Sequence, residues 1–259
     1  MLISSSENEL IKKVKKLKEK KYRDEDGIFV IEGAKIIEEA INEKADIQNI
    51  FVCEELTKSN SENLLEIVEN ICKNNEVIEV TKKVFELLSD VKNPQGILAT
   101  VKKEKNENIQ YDDNFFLLLD GIQDPGNIGT IIRTADSLNI KQIIVSNDTA
   151  DVYNPKVLRS TMGTIFRVNV IYTNLKDAVE KLKENGITVY ATDLKTDKSI
   201  YDVDYKKSAV VIGNEANGVS SEVLNSSSRR IKIPMLGKTE SLNASVAAGI
   251  IMYEAFRKR

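Results

Sequence analysis

An arginine, an acid and a few amides and hydroxyls, set just beyond apolar runs, are the residues of this sequence best placed to do chemistry. The first group stands in Leu119-Asp120-Gly121-Ile122-Gln123-Asp124-Pro125-Gly126-Asn127-Ile128-Gly129-Thr130-Ile131-Ile132-Arg133-Thr134-Ala135. An apolar run ends in a glycine- and proline-rich turn that opens a helix, and ligands of open α/β sheets bind beyond such strand ends. Ile128, Ile131, Ile132, Ala135 and Leu138 have core spacing, whereas Arg133 lies off that stripe, one turn after Gly129. It either meets a ligand or is an ordinary surface charge. The second group is Val210-Val211-Ile212-Gly213-Asn214-Glu215-Ala216-Asn217-Gly218-Val219. Gly213 and Gly218 permit unusual backbone angles and close ligand approach. Between them Glu215 could hold a hydroxyl, organise Arg133, or simply face solvent from a turn. In the third group Ile231-Lys232-Ile233-Pro234-Met235 reads as a strand. It leads through a loop into Ser241-Leu242-Asn243-Ala244-Ser245-Val246-Ala247-Ala248-Gly249, a helix of small residues. Ser241 or Asn243 could cap that helix, and either could also touch substrate.

The elements that must position these groups alternate between strand and helix. In the second half, strands are expected at 115–120, 142–146, 167–171, 187–192 and 208–213. Helices are expected at 127–138, 155–162, 174–185, 219–225 and 242–257. The continuous apolar run at 115–120 suits a buried parallel strand. In the first half, Leu10, Ile11, Val14 and Leu17 alternate with lysines, which reads as one amphipathic helix over 8–20. Strands at 28–32, 48–52, 77–80 and 96–101 and helices at 34–42, 61–72 and 81–89 follow. The polar stretch 102–113 marks a domain boundary.

Composition narrows the chemistry. The 259 residues include no histidine, which excludes a Ser-His-Asp relay and His-ligated zinc. No metal site is expected. Cys53 and Cys72 are the only cysteines and are expected to be reduced, in a cytoplasmic protein without signal peptide or membrane span. The net charge of −3 argues against nucleic acid as a partner. Against that stands a local basic block of Lys12, Lys13, Lys15, Lys16, Lys18, Lys20, Lys21 and Arg23, which either attracts phosphates or solvates a helix face.

The three chemical segments, in this order, resemble the signature motifs of the SpoU (TrmH) branch of the SPOUT methyltransferases, across roughly 114–259. Lys12-Lys13-Val14-Lys15-Lys16-Leu17, Lys21-Tyr22-Arg23 and Gly27-Ile28-Phe29-Val30-Ile31-Glu32-Gly33 resemble the substrate-binding domain that precedes it in several rRNA methyltransferases. That domain is similar to ribosomal protein L30e. The resemblance implies an α/β chain with a smaller L30e-like α/β domain at 1–105, a linker at 106–113 and a SPOUT α/β domain at 114–259. The latter would carry a mostly parallel sheet and a trefoil knot, against the rule that chains are unknotted. It implies S-adenosyl-L-methionine as cofactor, held by Gly213, Ile233 and Leu242, with Met235 nearby and Thr192, Asn214 and Ala244 as further candidates. The implied reaction is methyl transfer to a ribose 2′-hydroxyl of RNA, with 23S-type large-subunit rRNA ahead of tRNA. Arg133 is its implied catalytic group, and Asn127, Glu215, Ser241 and Asn243 complete the site. Lys12, Lys13, Lys15, Lys16, Lys21 and Arg23 would bind RNA. A homodimer is implied, paired through the knot region and the small-residue helix. Two rivals are a non-catalytic RNA-binding protein on the same fold and a nucleotide-dependent oxidoreductase. The polar residues intact in all three motifs oppose the first, and the absent G-x-G-x-x-G opposes the second.

Overall fold

The computed structural model describes residues 2–104 and 108–258, and the chain divides into two compact units. Unit one holds Met1–Lys105 with Tyr153–Phe166, and unit two Asn106–Val152 with Arg167–Arg259. The first positions of the expected 106–113 linker lie outside the described residues.

The chain opens with β1 (Leu2–Ile3), α1 (Glu9–Lys16), α2 (Lys20–Asp26), β2 (Ile28–Glu32), α3 (Ala34–Asn42), β3 (Ile47–Val52), α4 (Glu54–Thr57), α5 (Glu62–Asn74), β4 (Ile78–Val80), α6 (Lys82–Leu88) and β5 (Ile97–Lys102). These strands form a mixed sheet in the order β1-β4-β3-β5-β2, with β2 and β3 antiparallel to β5. Side chains alternate across a strand, and that alternation sorts two cores. Ile97, Ala99 and Val101 join Phe29, Ile31, Ile50 and Val52 beneath α3 and α5. Leu98 and Phe51 face the other way, onto Ile11 and Val14 of α1 and Val84 and Phe85 of α6.

The single helix expected over 8–20 is two helices. Asn8 caps α1 by accepting from the backbone N–H groups of Leu10 and Ile11. At its other end the Arg23 guanidinium donates to the carbonyls of Leu17 and Lys18, each at 2.7 Å. These two carbonyls are satisfied by a side chain rather than by a continuing helix.

After unit one's strands the chain runs through β6 (Phe115–Asp120), α7 (Pro125–Ser137), β7 (Gln142–Ser146), α8 (Pro155–Thr161), β8 (Asn169–Thr173), α9 (Leu175–Glu184), β9 (Thr188–Thr192), β10 (Ser208–Gly213), α10 (Ser221–Ser226), β11 (Arg229–Ile231) and α11 (Ala244–Arg257). A division at 106–113 does not provide for α8, which counts with unit one. The reason is apolar: Leu158 is buried in unit one's core, and the rings of Tyr153 and Phe166 lie 4.6 and 6.3 Å from Phe29.

Unit two's sheet is parallel throughout its described pairs, in the order β11-β9-β10-β6-β7-β8. The central strands β6 and β7 are buried along their whole length, which accounts for their unbroken apolar runs. From β6 the chain first builds outward through β7 and β8, then crosses to the other side for β9, β10 and β11. The topological switch point therefore falls between β6 and β10. The strand expected within 231–235 lies earlier, at Arg229–Ile231, and no described helix is long and apolar enough to cross a membrane.

Candidate active site

At the switch point β6 and β10 end side by side, with Asp120 opposite Gly213. The first segment turns here into α7. Asp124 caps the helix by accepting from the Asn127 N–H at 2.8 Å, and Pro125 stands at its first position, where the missing N–H costs nothing. The side chain of Asn127 thus sits in the first turn, facing the end of β10.

Beyond β10 the chain makes a closed loop. Asn214 and Gly218 exchange backbone hydrogen bonds at 3.1 and 2.8 Å, and the Asn214 carboxamide oxygen accepts from the N–H groups of Ala216 and Asn217. Its nitrogen donates to the Gly121 carbonyl at 2.8 Å, which fastens the second segment to the first. Gly218 has φ +68, as expected of a left-handed position. Gly213 is required for a different reason than room for a ligand. A Cβ on it would lie 2.1 Å from the Gly218 carbonyl carbon and the Val219 nitrogen, so the returning backbone of the loop occupies that space.

Three predicted polar residues meet. Asn127 donates through Nδ2 to Glu215 at 2.5 Å. Asn243 donates through Nδ2 to the Asn127 Oδ1 at 2.9 Å. The Asn243 Oδ1 caps α11, accepting from the N–H groups of Ser245 and Val246. Asn243 rather than Ser241 is therefore the cap, and it joins the helix start to the site. Asn127 has both ends of its amide engaged, which fixes it between the other two.

Beside this network lies a cavity of about 720 Å³, within the range of small-molecule sites. Gly213, Ile233, Leu242, Met235, Thr192, Asn214 and Ala244 all line it, as do Ser241 and Glu215. Much of its wall comes from the loops following β9, β10 and β11. Thr192 spends its hydroxyl on the sheet, donating to the Val211 carbonyl at 3.0 Å. Arg133 does not line the cavity. It is exposed on α7, and among the described residues no carboxylate pairs with it. Asp193, Leu194, Arg230 and Lys232 also line the cavity and were not singled out from the sequence. Their available signal was position: Asp193 directly follows a third strand of the same sheet.

The basic block of unit one divides into paired and unpaired charges. Lys12 is bound by Glu7 and Glu9 at 3.1 and 3.3 Å, which holds its ammonium above the usual lysine range, the Glu7 hydrogen bond first. Lys13 reaches Asp26 and Lys21 reaches Glu25, both at 3.8 Å. Arg23 is only 2% exposed and serves the α1 end, so it presents no charge to a phosphate. This corrects its place among the RNA-binding candidates. Lys15, Lys16 and Lys20 are exposed and without a carboxylate partner among the described residues. Lys16 and Lys21 also lie 5.5 and 5.7 Å from the centre of the Tyr22 ring.

Residues 114–253 match the family described as SpoU rRNA Methylase, and residues 8–99 match the MRM3-like substrate binding domain. A Bacillus subtilis protein named 23S rRNA (guanosine(2553)-2′-O)-methyltransferase RlmP is 33% identical across 97% of each chain. An AdoMet-bound rRNA methyltransferase from Sinorhizobium meliloti has a similar structure, with a TM-score of 0.85 at 28% identity over 99% of this chain and 97% of that one. The SpoU methyltransferase AviRb from Streptomyces viridochromogenes, solved with AdoMet, gives a TM-score of 0.83 at 26% identity over 97% and 98% of the two chains.

Proposed function

This chain belongs to the SpoU rRNA methylase family, and we propose that it transfers a methyl group from S-adenosylmethionine to a ribose 2′-hydroxyl of large-subunit rRNA. The observation that carries the reading is the Asn127–Glu215–Asn243 network, joined beside a loop-walled cavity at the sheet's switch point. The near-complete coverage of a 23S rRNA relative favours rRNA over tRNA.

The cavity fits the cofactor. Ile233 and Leu242 offer apolar faces for a purine, and the loops after β9 and β10 offer main-chain groups for its polar edges. When bound, the cofactor supplies an electrophilic methyl group on a sulfonium. The chain's own task is to align a ribose oxygen with it and manage a proton. Alignment alone is worth up to roughly 7–11 kcal/mol. Glu215, steadied by Asn127, receives the sugar's hydroxyl. Arg133 stabilises the oxyanion as the proton leaves. A guanidinium offers donors and no acceptor, so the proton passes to an RNA phosphate that Arg133 orients.

In this reading the catalytic unit is completed by a second copy. Val246, Tyr253 and Phe256 are each at least half exposed along one side of α11, an apolar stripe of the kind that marks an interface. An unpaired, exposed Arg133 suits a site assembled from two protomers. The C-terminal segment is tied in a trefoil knot, and the enzyme acts in the cytoplasm.

Residues 1–105 recruit the RNA, and 114–259 hold cofactor and catalytic groups. Lys15, Lys16 and Lys20 carry the recruitment, because the other lysines of the block already have acidic partners. Changing all three to Glu is expected to weaken RNA binding and flatten its salt dependence, each lost phosphate contact removing roughly 0.7–0.9 from the log–log slope. Adenosylmethionine affinity should stay constant. An unchanged salt slope would show that these lysines only solvate the helix.

The direct test of the whole reading is methyl transfer from labelled cofactor to rRNA, with the product mapped by 2′-O-methyl-sensitive sequencing. Label on a base, or on no RNA at all, would reject it.

A further inference from the structure

We propose that Asp193 is a positioning residue for the cofactor, its carboxylate tying together three segments of the cavity wall. The inference rests on the cavity being the cofactor site. Asp193 directly follows β9, and its N–H donates to the Ile231 carbonyl at 2.9 Å, carrying the β9–β11 pairing one residue further. Its side chain is only 11% exposed. One carboxylate oxygen accepts from the Lys195 N–H at 2.9 Å, closing the turn that holds Leu194. The other accepts from Arg230 Nη1 at 3.1 Å. Through its second nitrogen Arg230 reaches the Asn225 Oδ1 at 3.3 Å.

The loop after β9, strand β11 and the end of α10 are thus joined through one acid, and Asp193, Arg230 and Asn225 all line the cavity. The tie matters because β11 is a three-residue edge strand, paired among the described strands with β9 alone and continued past its end by a single Ser199–Lys232 bridge. Just beyond β11 stands Ile233, and just before Asp193 stands Thr192, both facing the same cavity. Removing the carboxylate leaves these two stretches of wall held mainly by backbone bonds, from Asp193 to Ile231 and between Lys232 and both Lys198 and Ile200. The Asn127–Glu215–Asn243 network has no bond to Asp193 and should be left intact.

Calorimetry with S-adenosylmethionine and, separately, with rRNA tests this on the full chain. Asp193→Ala is expected to weaken cofactor binding roughly tenfold, about 1.4 kcal/mol, which suits a charged hydrogen bond with one partly exposed partner. RNA affinity should not move, and a denaturant melt of the variant that matches wild type sets this apart from a general loss of structure in unit two. Asp193→Asn keeps an acceptor for the Lys195 N–H and should fall between. Arg230→Ala should reproduce the loss, and the double variant should bind no worse than the weaker single one, as expected of partners acting as a unit. Wild-type cofactor affinity in Asp193→Ala would overturn the proposal, as would fully additive Asp193 and Arg230 effects. Should the alanine variant fail to fold, Asp193→Asn and Arg230→Ala decide the matter by the same measurements. A wild-type protein that binds no S-adenosylmethionine would reject the cofactor reading of the cavity itself, and the wild-type titration reports that separately.

Discussion

Replacing Arg133 with alanine is expected to lower methyl transfer by roughly 100- to 1,000-fold, the usual cost of losing one group that stabilises a developing oxyanion. Affinity for S-adenosylmethionine should hardly change, because Arg133 does not line the cavity. The residue sits exposed on α7, in the helix whose first turn carries Asn127. A charge left unpaired there is available to an RNA ribose or phosphate. Lysine at this position should rescue poorly, since it keeps the charge but loses the planar fork. If the site is shared across a dimer, mixing Arg133→Ala protomers with cofactor-deficient protomers should recover activity, because one hybrid site then holds every part. Sedimentation must show a dimer at micromolar concentration for that explanation to stand. Full activity in Arg133→Ala alone would remove the residue from the mechanism.

Much of the scaffold could be read along the chain because its signals are local. Phe115–Asp120 and Gln142–Ser146 lie buried in a parallel sheet, so their apolar runs coincide with the strands. Helix α3 begins directly after Gly33, as expected, whereas α7 begins at Pro125, two residues before the expected start, because Asp124 caps it. Asn127, Glu215 and Asn243, each named from the sequence, stand at element ends that the topology brings within hydrogen-bond reach of one another. What could not be read depends on pairings between distant residues. The Asn127–Asn243 bond spans 116 positions. Asp193 meets Arg230 only because β11 pairs with β9 at Arg230↔Ala191, and a three-residue edge strand leaves little pattern. The break between α1 and α2 was hidden because Arg23 reads as one more surface charge in a basic block. Buried, it becomes the group that ends α1. Helix α8 reads as an ordinary crossover helix of the second half, and nothing in its periodicity says that Leu158 fills the core of unit one.

The loop around Glu215 supports a second large effect, in which two glycines five positions apart should behave differently. Gly213→Ala places a methyl group 2.1 Å from two backbone atoms of Gly218 and Val219 and 2.5 Å from the Gly218 carbonyl oxygen. No rotamer relieves a clash with backbone, so the loop must move. Its closing bonds between Asn214 and Gly218 then cannot both persist, and Glu215 is carried away from Asn127. Overpacking of this kind costs roughly 1–3 kcal/mol or more. Cofactor binding and transfer should therefore be lost together, unlike the Arg133 variant, which loses only transfer. Gly218→Ala meets no atom within 4 Å, but it must hold φ +68, a strain of about 1–2 kcal/mol for an L residue. It should be destabilised in denaturant melts yet still bind S-adenosylmethionine measurably. Equal cofactor affinity in Gly213→Ala and wild type would mean that the loop shifts freely, and that its closure against β10 does not build the site.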